Sequence, residues 1–348
     1  MVWKKLNNNV DFWDIPVLGT EKQENGKIFM ALSIDPKSKN PYKGIARQVT
    51  ERQGSPDVPG FLDRSKLVIV QSYDLLNWKV VGDLVIKNID KIIQEIKKGG
   101  EDKFFIGLED PDILVDENGK KHLYFTVPFK YVGRDGCDVH VGHAEGDNLE
   151  NLTATLPVLS KVNNEIVGFK EICPSPTVKG GYRFVLAETF VDRGDKRKFS
   201  ATSISKSKNF SNKWDYIKLV HDPEKETKNW CSGHSSPCKI LDPNFIIHIN
   251  YLVGIMNGCE PTKEAGENKI YGKFRPGLFL FDNQKGEIVW ISDEPLLEDN
   301  IATTITFASD IVYLNDKEAI LYAHPNDSFV RAYKLKTSKI KKLLPNNL

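Results

Sequence analysis

The sequence predicts an all-β fold, a five-bladed β-propeller with four-stranded antiparallel blades and one short helix between blades one and two. Three observations predict it: a hairpin signature that recurs five times, further strand-like segments after each copy, and a helical periodicity confined to the first connection. The clearest copy is Gly107 to Thr126, GLEDPDILVDENGKKHLYFT. Two carboxylates, Glu109 and Asp110, stand before Pro111 and a short strand, Asp112 to Val115. A turn ending in Asn118-Gly119 then leads into a second strand, Lys121 to Thr126. Asn-Gly is a strong hairpin signal because a type I′ turn needs positive φ at both central residues.

The other copies follow the same order. Asp14-Ile15-Pro16-Val17 runs through Glu24-Asn25-Gly26 into Lys27 to Leu32. Ser175 to Val178 runs through Gly180-Gly181 into Tyr182 to Leu186. Ser236 to Ile240 runs through Asp242-Pro243-Asn244 into Phe245 to Ile249, and Ser309 to Tyr313 runs through Asn315-Asp316 into Ala319 to Tyr322. The copies recur at roughly 60–100 residues, the spacing of a multi-stranded repeat. Tails ending in Trp78, Trp214 and Trp290 repeat as well, which marks those rings as blade packing.

Taken in order, Met1 to Asn9 precedes the first copy and is a candidate strand for closing the last blade; Lys339 to Leu344 is the alternative. Asp35 to Lys66 reads as a long loop rich in Pro and Gly, carrying Arg47 and Arg52. Asn88 to Lys98 reads as a helix: Ile89, Ile92, Ile93 and Ile96 share a face, Asn88 caps it, and Lys97 and Lys98 suit its C-terminal dipole. His221 to Lys228 and Glu260 to Lys273 read as polar surface loops. The repeat fills nearly the whole chain, so residues 1–348 are expected to form one domain.

A net charge of +1 over 348 residues offers no electrostatic footprint for nucleic acid or an acidic membrane. No apolar run is long enough to span a bilayer. MVWKKLNNNVDF lacks the apolar stretch of a signal peptide, and the five cysteines include no Cys-x-x-Cys, so a reducing cytoplasm is the expected location. Cys173, Cys231 and Cys238 lie near the starts of inner strands and read as buried thiols, with a metal cluster around His234 as the alternative. The sequence carries no signal for oligomeric state.

In a propeller, the starts of the innermost strands meet at one funnel. Asp14, then Glu109, Asp110 and Asp112, then Glu171, then His234, then Asp310 would converge there from distant parts of the chain. Crowded carboxylates cannot all ionise cheaply, so one becomes an acid beside a base. Two such groups flanking a glycosidic bond are what its cleavage requires.

The blade starts resemble five-bladed glycoside hydrolases of the arabinanase and β-xylosidase type. The resemblance implies Asp14 as general base, Asp110 as modulator of the acid and Glu171, in Glu171-Ile172-Cys173-Pro174, as general acid. An inverting pair of this kind stands about 6.5–9.5 Å apart. No cofactor is required, though the resemblance admits a calcium ion on the axis near His234. Glu109-Asp110-Pro111-Asp112 and Tyr322 to Asp327 also resemble the neighbouring β-mannoside phosphorylases and mannosidases, without the Arg of their Glu-Asp-Pro-Arg motif. That resemblance implies proton donation by Asp110, with phosphate replacing water and Arg47, His234 and His324 binding it. Glu109, Arg47, His234, Asp310 and His324 are thus the expected substrate-binding residues, and an oligosaccharide the expected partner. A non-catalytic carbohydrate-binding propeller is the third reading.

Overall fold

The computed structural model describes residues 2–20, 27–99, 101–194, 197–265 and 268–345. Their strands form five antiparallel meanders in chain order. The first unit is Ile28–Ile34, Tyr42–Gln53, Leu62–Ser72 and Lys79–Asp83. The second is Glu109–Val115, Lys121–Tyr131, Cys137–Gly146 and Leu152–Leu159. The third is Ile166–Pro174, Arg183–Asp192, Lys198–Ser207 and Asp215–His221. The fourth is His234–Ile240, Leu252–Cys259, Phe274–Asp282 and Glu287–Ile291. The fifth takes Thr306–Tyr313, Glu318–Pro325 and Arg331–Lys336 from the end of the chain. Its outer strand is Val10–Trp13, which pairs antiparallel with Arg331–Lys336 and carries Trp3–Lys5 on its own edge.

That last pairing changes the reading of the N-terminus. Asp14 to Val17 is not an inner strand; the first inner strand is Ile28–Ile34. The expected turn at Glu24-Asn25-Gly26 lies outside the described residues. The strand closing the fifth unit does come from the N-terminal side, but from Val10–Trp13. Lys339 to Leu344 supplies none, since Thr337–Ile340 and Lys341–Leu343 are helical turns.

The loop expected over Asp35 to Lys66 is instead a long hairpin of Tyr42–Gln53 and Leu62–Ser72. Apart from Gly44, its Pro and Gly residues lie in the turns before and between the two strands, leaving strand-forming residues elsewhere. In the third unit the inner strand ends at Pro174, before the segment expected to form it. In the fourth, Phe245 and Ile246 are buried in a turn, and the second strand is Leu252–Cys259. The helix is found at Ile89–Lys97, with its isoleucines packed on the core cluster of Phe129 and Leu152. Asn88 does not cap it through its side chain; it sits at φ 64° instead.

Apolar side chains collect at the seams between neighbouring units. Leu67 meets Ile113 and Phe125, and Val141 meets Phe169 and Val185. Leu186 meets Met256 and Phe279, Leu278 meets Leu321 and Tyr333, and Val68 meets Tyr322 and Val330. Alternate residues of each strand face opposite sides, so each sheet offers one apolar face to each neighbour. Trp78 and Trp214 recur at one place in this scheme, edge-on to Tyr322 and tilted on Tyr124.

The inner strands are also tied to one another by polar groups. Ser33 Oγ donates to Asp310 Oδ2 at 3.3 Å, and the Ile34 N–H donates to the same oxygen at 2.7 Å. The Ile113 N–H donates to Ser33 Oγ at 2.9 Å, and the Ile172 N–H donates to Asp112 Oδ2 at 3.4 Å. Lys239 Nζ reaches both carboxylates, 2.7 Å from Asp112 and 3.4 Å from Asp310. Burial pushes Asp112 up to about 6, with the Asp310 charge adding to the rise and Lys239 opposing it.

Removing Lys239 leaves two buried carboxylates facing each other. Lys239→Met is expected to cost about 3–5 kcal/mol in urea unfolding, and adding Asp112→Asn and Asp310→Asn to recover much of it. An unchanged unfolding midpoint for Lys239→Met would refute a tie at this position.

Candidate active site

Each inner strand breaks register with its neighbour at the same level. The slips fall between Met30 and Ser33, Glu109 and Asp112, Lys170 and Ile172, Pro237 and Lys239, and Ala308 and Asp310. A bulge bends a strand and re-aims the side chain at the extra residue. In three units that residue has positive φ: Ala31 at 48°, Asp110 at 45° and Glu171 at 42°. A non-glycine residue in that region costs about 1–3 kcal/mol and persists where its surroundings enforce it. Two of the three are carboxylates, both held in a buried cluster.

Asp110 is anchored by Arg47. The guanidinium donates from Nη1 to Asp110 Oδ1 at 3.0 Å, from Nη2 to Glu109 Oε1 at 2.8 Å and from Nε to Ser65 Oγ at 2.8 Å. Gly107, at φ 128°, lets this segment lie against the first unit: a Cβ there would stand 2.0 Å from the Ser65 carbonyl oxygen. Glu171 is held by a residue of the fourth unit and by its neighbour on its own strand. Ser236 Oγ donates to its Oε2, and Lys170 Nζ lies 3.9 Å from its Oε1 and 3.6 Å from Glu188. Lys170 and Glu188 are directly paired across the hairpin of the third unit.

The three acidic groups are driven apart in protonation. Burial pushes Glu171 well above the usual carboxylate range, with Glu188 and Asp110 adding to the rise against the opposing Lys170. Burial also pushes Glu109 up to about 7, where Arg47 opposes it and Asp110 reinforces it. Burial opposes ionisation of Asp110 too, but Arg47, Lys170 and an Arg47 hydrogen bond outweigh it and hold Asp110 below its ordinary value. One carboxylate therefore stays ionised beside one that stays protonated, with a third between them. Asp110 Oδ2 and Glu188 Oε2 are buried without a hydrogen-bond partner among the described residues, a costly state in the absence of a ligand.

Two histidines flank the cluster, both neutral. Burial pushes His324 down to about 3; its Nδ1 accepts the Ala31 N–H at 3.2 Å and its Nε2 lies 3.4 Å from Asp327. Burial likewise pushes His234 down to about 4; its Nδ1 accepts the Ser200 N–H at 2.9 Å, and its ring stacks on Phe274 beside Tyr271. Arg52 grips Asp63 in a fork at 2.8 and 2.7 Å and donates to the Asp327 carbonyl. Its Nη1 is buried without a partner among the described residues.

The structure thus groups Glu109, Asp110, Glu171, Arg47 and His324. Asp310 belongs to the tie around Lys239. Asp14 stands apart: it follows the outer strand of the fifth unit, accepts the Val2 N–H at 3.2 Å and lies 3.6 Å from Lys4. No contact among the described residues joins it to Glu109, Asp110 or Glu171. Cys173, Cys231 and Cys238 do not gather around His234: among the described residues, no group of three closely spaced His, Cys, Asp or Glu ligands includes His234. Lys170, Glu188, Ser236, Asp63 and Asp327 were not legible as site residues. Lys170 and Glu188 lie outside the hairpin expected for this unit, and only the observed register pairs them.

No family model matches this sequence, and no curated protein is significantly similar to it. Solved structures do share its fold. A β-1,2-mannobiose phosphorylase from Listeria innocua in complex with β-1,2-mannobiose superposes with a TM-score of 0.66 at 13% identity, over 97% of this chain and 99% of that one. A member of the GH130 family of mannoside phosphorylases, which contains glycoside hydrolases that target β-1,2 mannosidic linkages in Candida mannan, gives 0.62 at 16% identity over 95% and 96%. The Bacillus subtilis arabinanase Arb43A gives 0.54 at 13% identity over 93% and 96%. The chain therefore has the propeller-type all-β fold of these proteins.

A carboxyl that stays protonated in the fold up to about pH 7 weakens folding as pH rises. The unfolded chain releases that proton near its ordinary value of 4.5, so between there and neutrality the folded state binds more protons and loses stability. Glu109→Gln is expected to flatten this decline by on the order of 3 kcal/mol, read from urea unfolding at a series of pH values. An unaltered slope would place the titration elsewhere.

Proposed function

We propose that this chain is a closed, single-domain, five-bladed propeller that cleaves a glycosidic bond of an oligosaccharide at the inner-strand bulges. The seams and inner-strand ties support closure, since each unit meets the next and the fifth meets the first. The observation that carries the activity is Asp110 and Glu171. They are carboxylates at equivalent strained bulges, one held ionised and one held protonated.

In this reading Glu171, steadied by Ser236, donates its proton to the leaving oxygen. Asp110 keeps that proton on Glu171 by its nearby negative charge. Glu109, titrating near neutrality, replaces Asp14 as the group that activates the incoming nucleophile. Lys170 and Arg47 bind hydroxyls and limit the repulsion among the acids. The mannobiose bound by a protein of the same fold makes a β-mannoside the first substrate to try.

Water is the nucleophile we favour. One observation supports phosphate instead: Arg47 and Arg52 both reach Asp63, and Arg52 Nη1 is buried without a partner among the described residues, as a site awaiting an anion would be.

Sugar release from β-1,2-mannobiose and from arabinosides, xylosides and fructosides, with and without phosphate, tests this directly. Release in water is expected, with Glu171→Gln and Asp110→Asn each slower by roughly 10²–10⁴-fold. Strict dependence on phosphate, with a sugar phosphate as product, would make the chain a phosphorylase. Undiminished release by Glu171→Gln would remove that residue from the chemistry. Sugar binding without any release would make the propeller a carbohydrate-binding module.

A further inference from the structure

Well outside the bulge cluster, the connection from the third unit to the fourth brings a histidine, a carboxylate and a thiol together. His221 ends the outer strand Asp215–His221. Asp222 caps the turn Pro223–Lys225 by accepting the Glu224 N–H at 3.3 Å. Glu226 follows, and its Oε1 accepts the N–H groups of Thr227 and Lys228 at 2.8 and 2.9 Å. That leaves Oε2 turned toward His221, 3.4 Å from its Nε2. A second turn, Asn229–Cys231, returns the chain to the same place. Trp230 fixes this turn: its indole N–H donates to the Ser292 carbonyl at 2.9 Å, and its ring fills space where a Cβ on Gly277 would stand 2.2 Å away.

One ligand atom from each of His221, Glu226 and Cys231 lies within 4.8 Å of the other two. His221 is 5% exposed and Cys231 is fully buried. His221 Nδ1 has no hydrogen-bond partner among the described residues, and Nε2 has only the long contact to Glu226. A buried imidazole in that state forfeits about 1–3 kcal/mol. Nothing in the sugar chemistry proposed above uses this trio.

We propose that His221, Glu226 and Cys231 form a binding site for a zinc-type divalent cation. Imidazole, carboxylate and thiolate are its usual protein ligands, and three of them leave a fourth position for water. At zinc bond lengths the ligand atoms of a tetrahedron stand roughly 3.3–3.6 Å apart. The His221–Glu226 separation already matches that range, and closing the Cys231 arm takes a shift on the order of 1 Å, within reach of a side-chain rotation. His221 and Glu226 also line a cleft of about 620 Å³ through which an ion and its water can pass. Burial keeps the Cys231 thiol protonated in the free protein, so binding the cation releases a proton. The bound ion would pin the end of the third unit to the turn that precedes His234 and the fourth inner strand.

The test uses the whole chain stripped of metal and titrated with Co²⁺ and then Zn²⁺. A thiolate-to-cobalt absorption band saturating at about one ion per chain is expected, displaced by Zn²⁺, with a rise in melting temperature. Cys231→Ser should lose the band and Cys238→Ser should keep it. His221→Gln should weaken Co²⁺ binding at least tenfold. If Cys231→Ser fails to fold, the wild-type titration decides alone. Absence of the band at a hundred-micromolar excess of Co²⁺, or a band that survives Cys231→Ser, overturns the site.

Discussion

One ammonium group holds the middle of this molecule. Lys239 sits between Asp112 and Asp310, on strands from the second and fifth units, while projecting from the fourth. Asp310 is also bonded to the first inner strand, and Asp112 to the third. All five inner strands therefore meet through three charged side chains and Ser33. A buried ion pair is not a cheap source of stability, because desolvation consumes most of the attraction. Its value lies in geometry. Apolar seams tolerate a sliding neighbour, whereas a lysine that must reach two carboxylates tolerates very little.

That fixed geometry makes the strained layer above it tenable. Left-handed backbone at Asp110 and Glu171 persists only where the surroundings over-determine it. The polar tie lies one or two residues further along the same strands, so each bulge is braced from below. Arg47 and Ser236 brace it from the side. The same bracing separates the proton affinities. Asp110 faces a guanidinium and remains charged, while Glu171 faces burial, Glu188 and Asp110 itself, and remains protonated. The charge pattern follows from the sheet architecture and needs no flexible loop.

How much of this the sequence discloses depends on where chemistry and pattern coincide. The second and fifth units are legible because their inner strands carry acids and run into Asn-containing turns, Asp110-Pro111 ahead of Asn118-Gly119 and Asp310 ahead of Asn315-Asp316. Glu171, too, stands out as an acid, although its strand begins at Ile166 and ends just after it. The first unit is not legible: its bulge residue is Ala31, which has no ionisable group to flag it, while Asp14 imitates the signature from just after an outer strand. Arg47 was visible as a residue but not in its setting, because flanking Pro and Gly hid two long strands inside an apparent loop. Lys170 and Glu188 act as a pair across a hairpin, and such pairing requires the register, which a bulge alters by one residue.

The strand Val10–Trp13 is synthesised long before its partner, Arg331–Lys336. Until then the fifth unit lacks its outer strand, and the early segment has only its pairing with Trp3–Lys5. Contacts so distant in sequence are slow to form because the intervening chain must be ordered before they repay its entropy. The other four units are each contiguous in the chain and need no such return. Completing the sheet of the fifth unit therefore waits until nearly all of the chain between the two strands has been made. A chain that stalls before residue 331 would leave Val10–Trp13 without that partner strand, and an unpaired strand is a template for association.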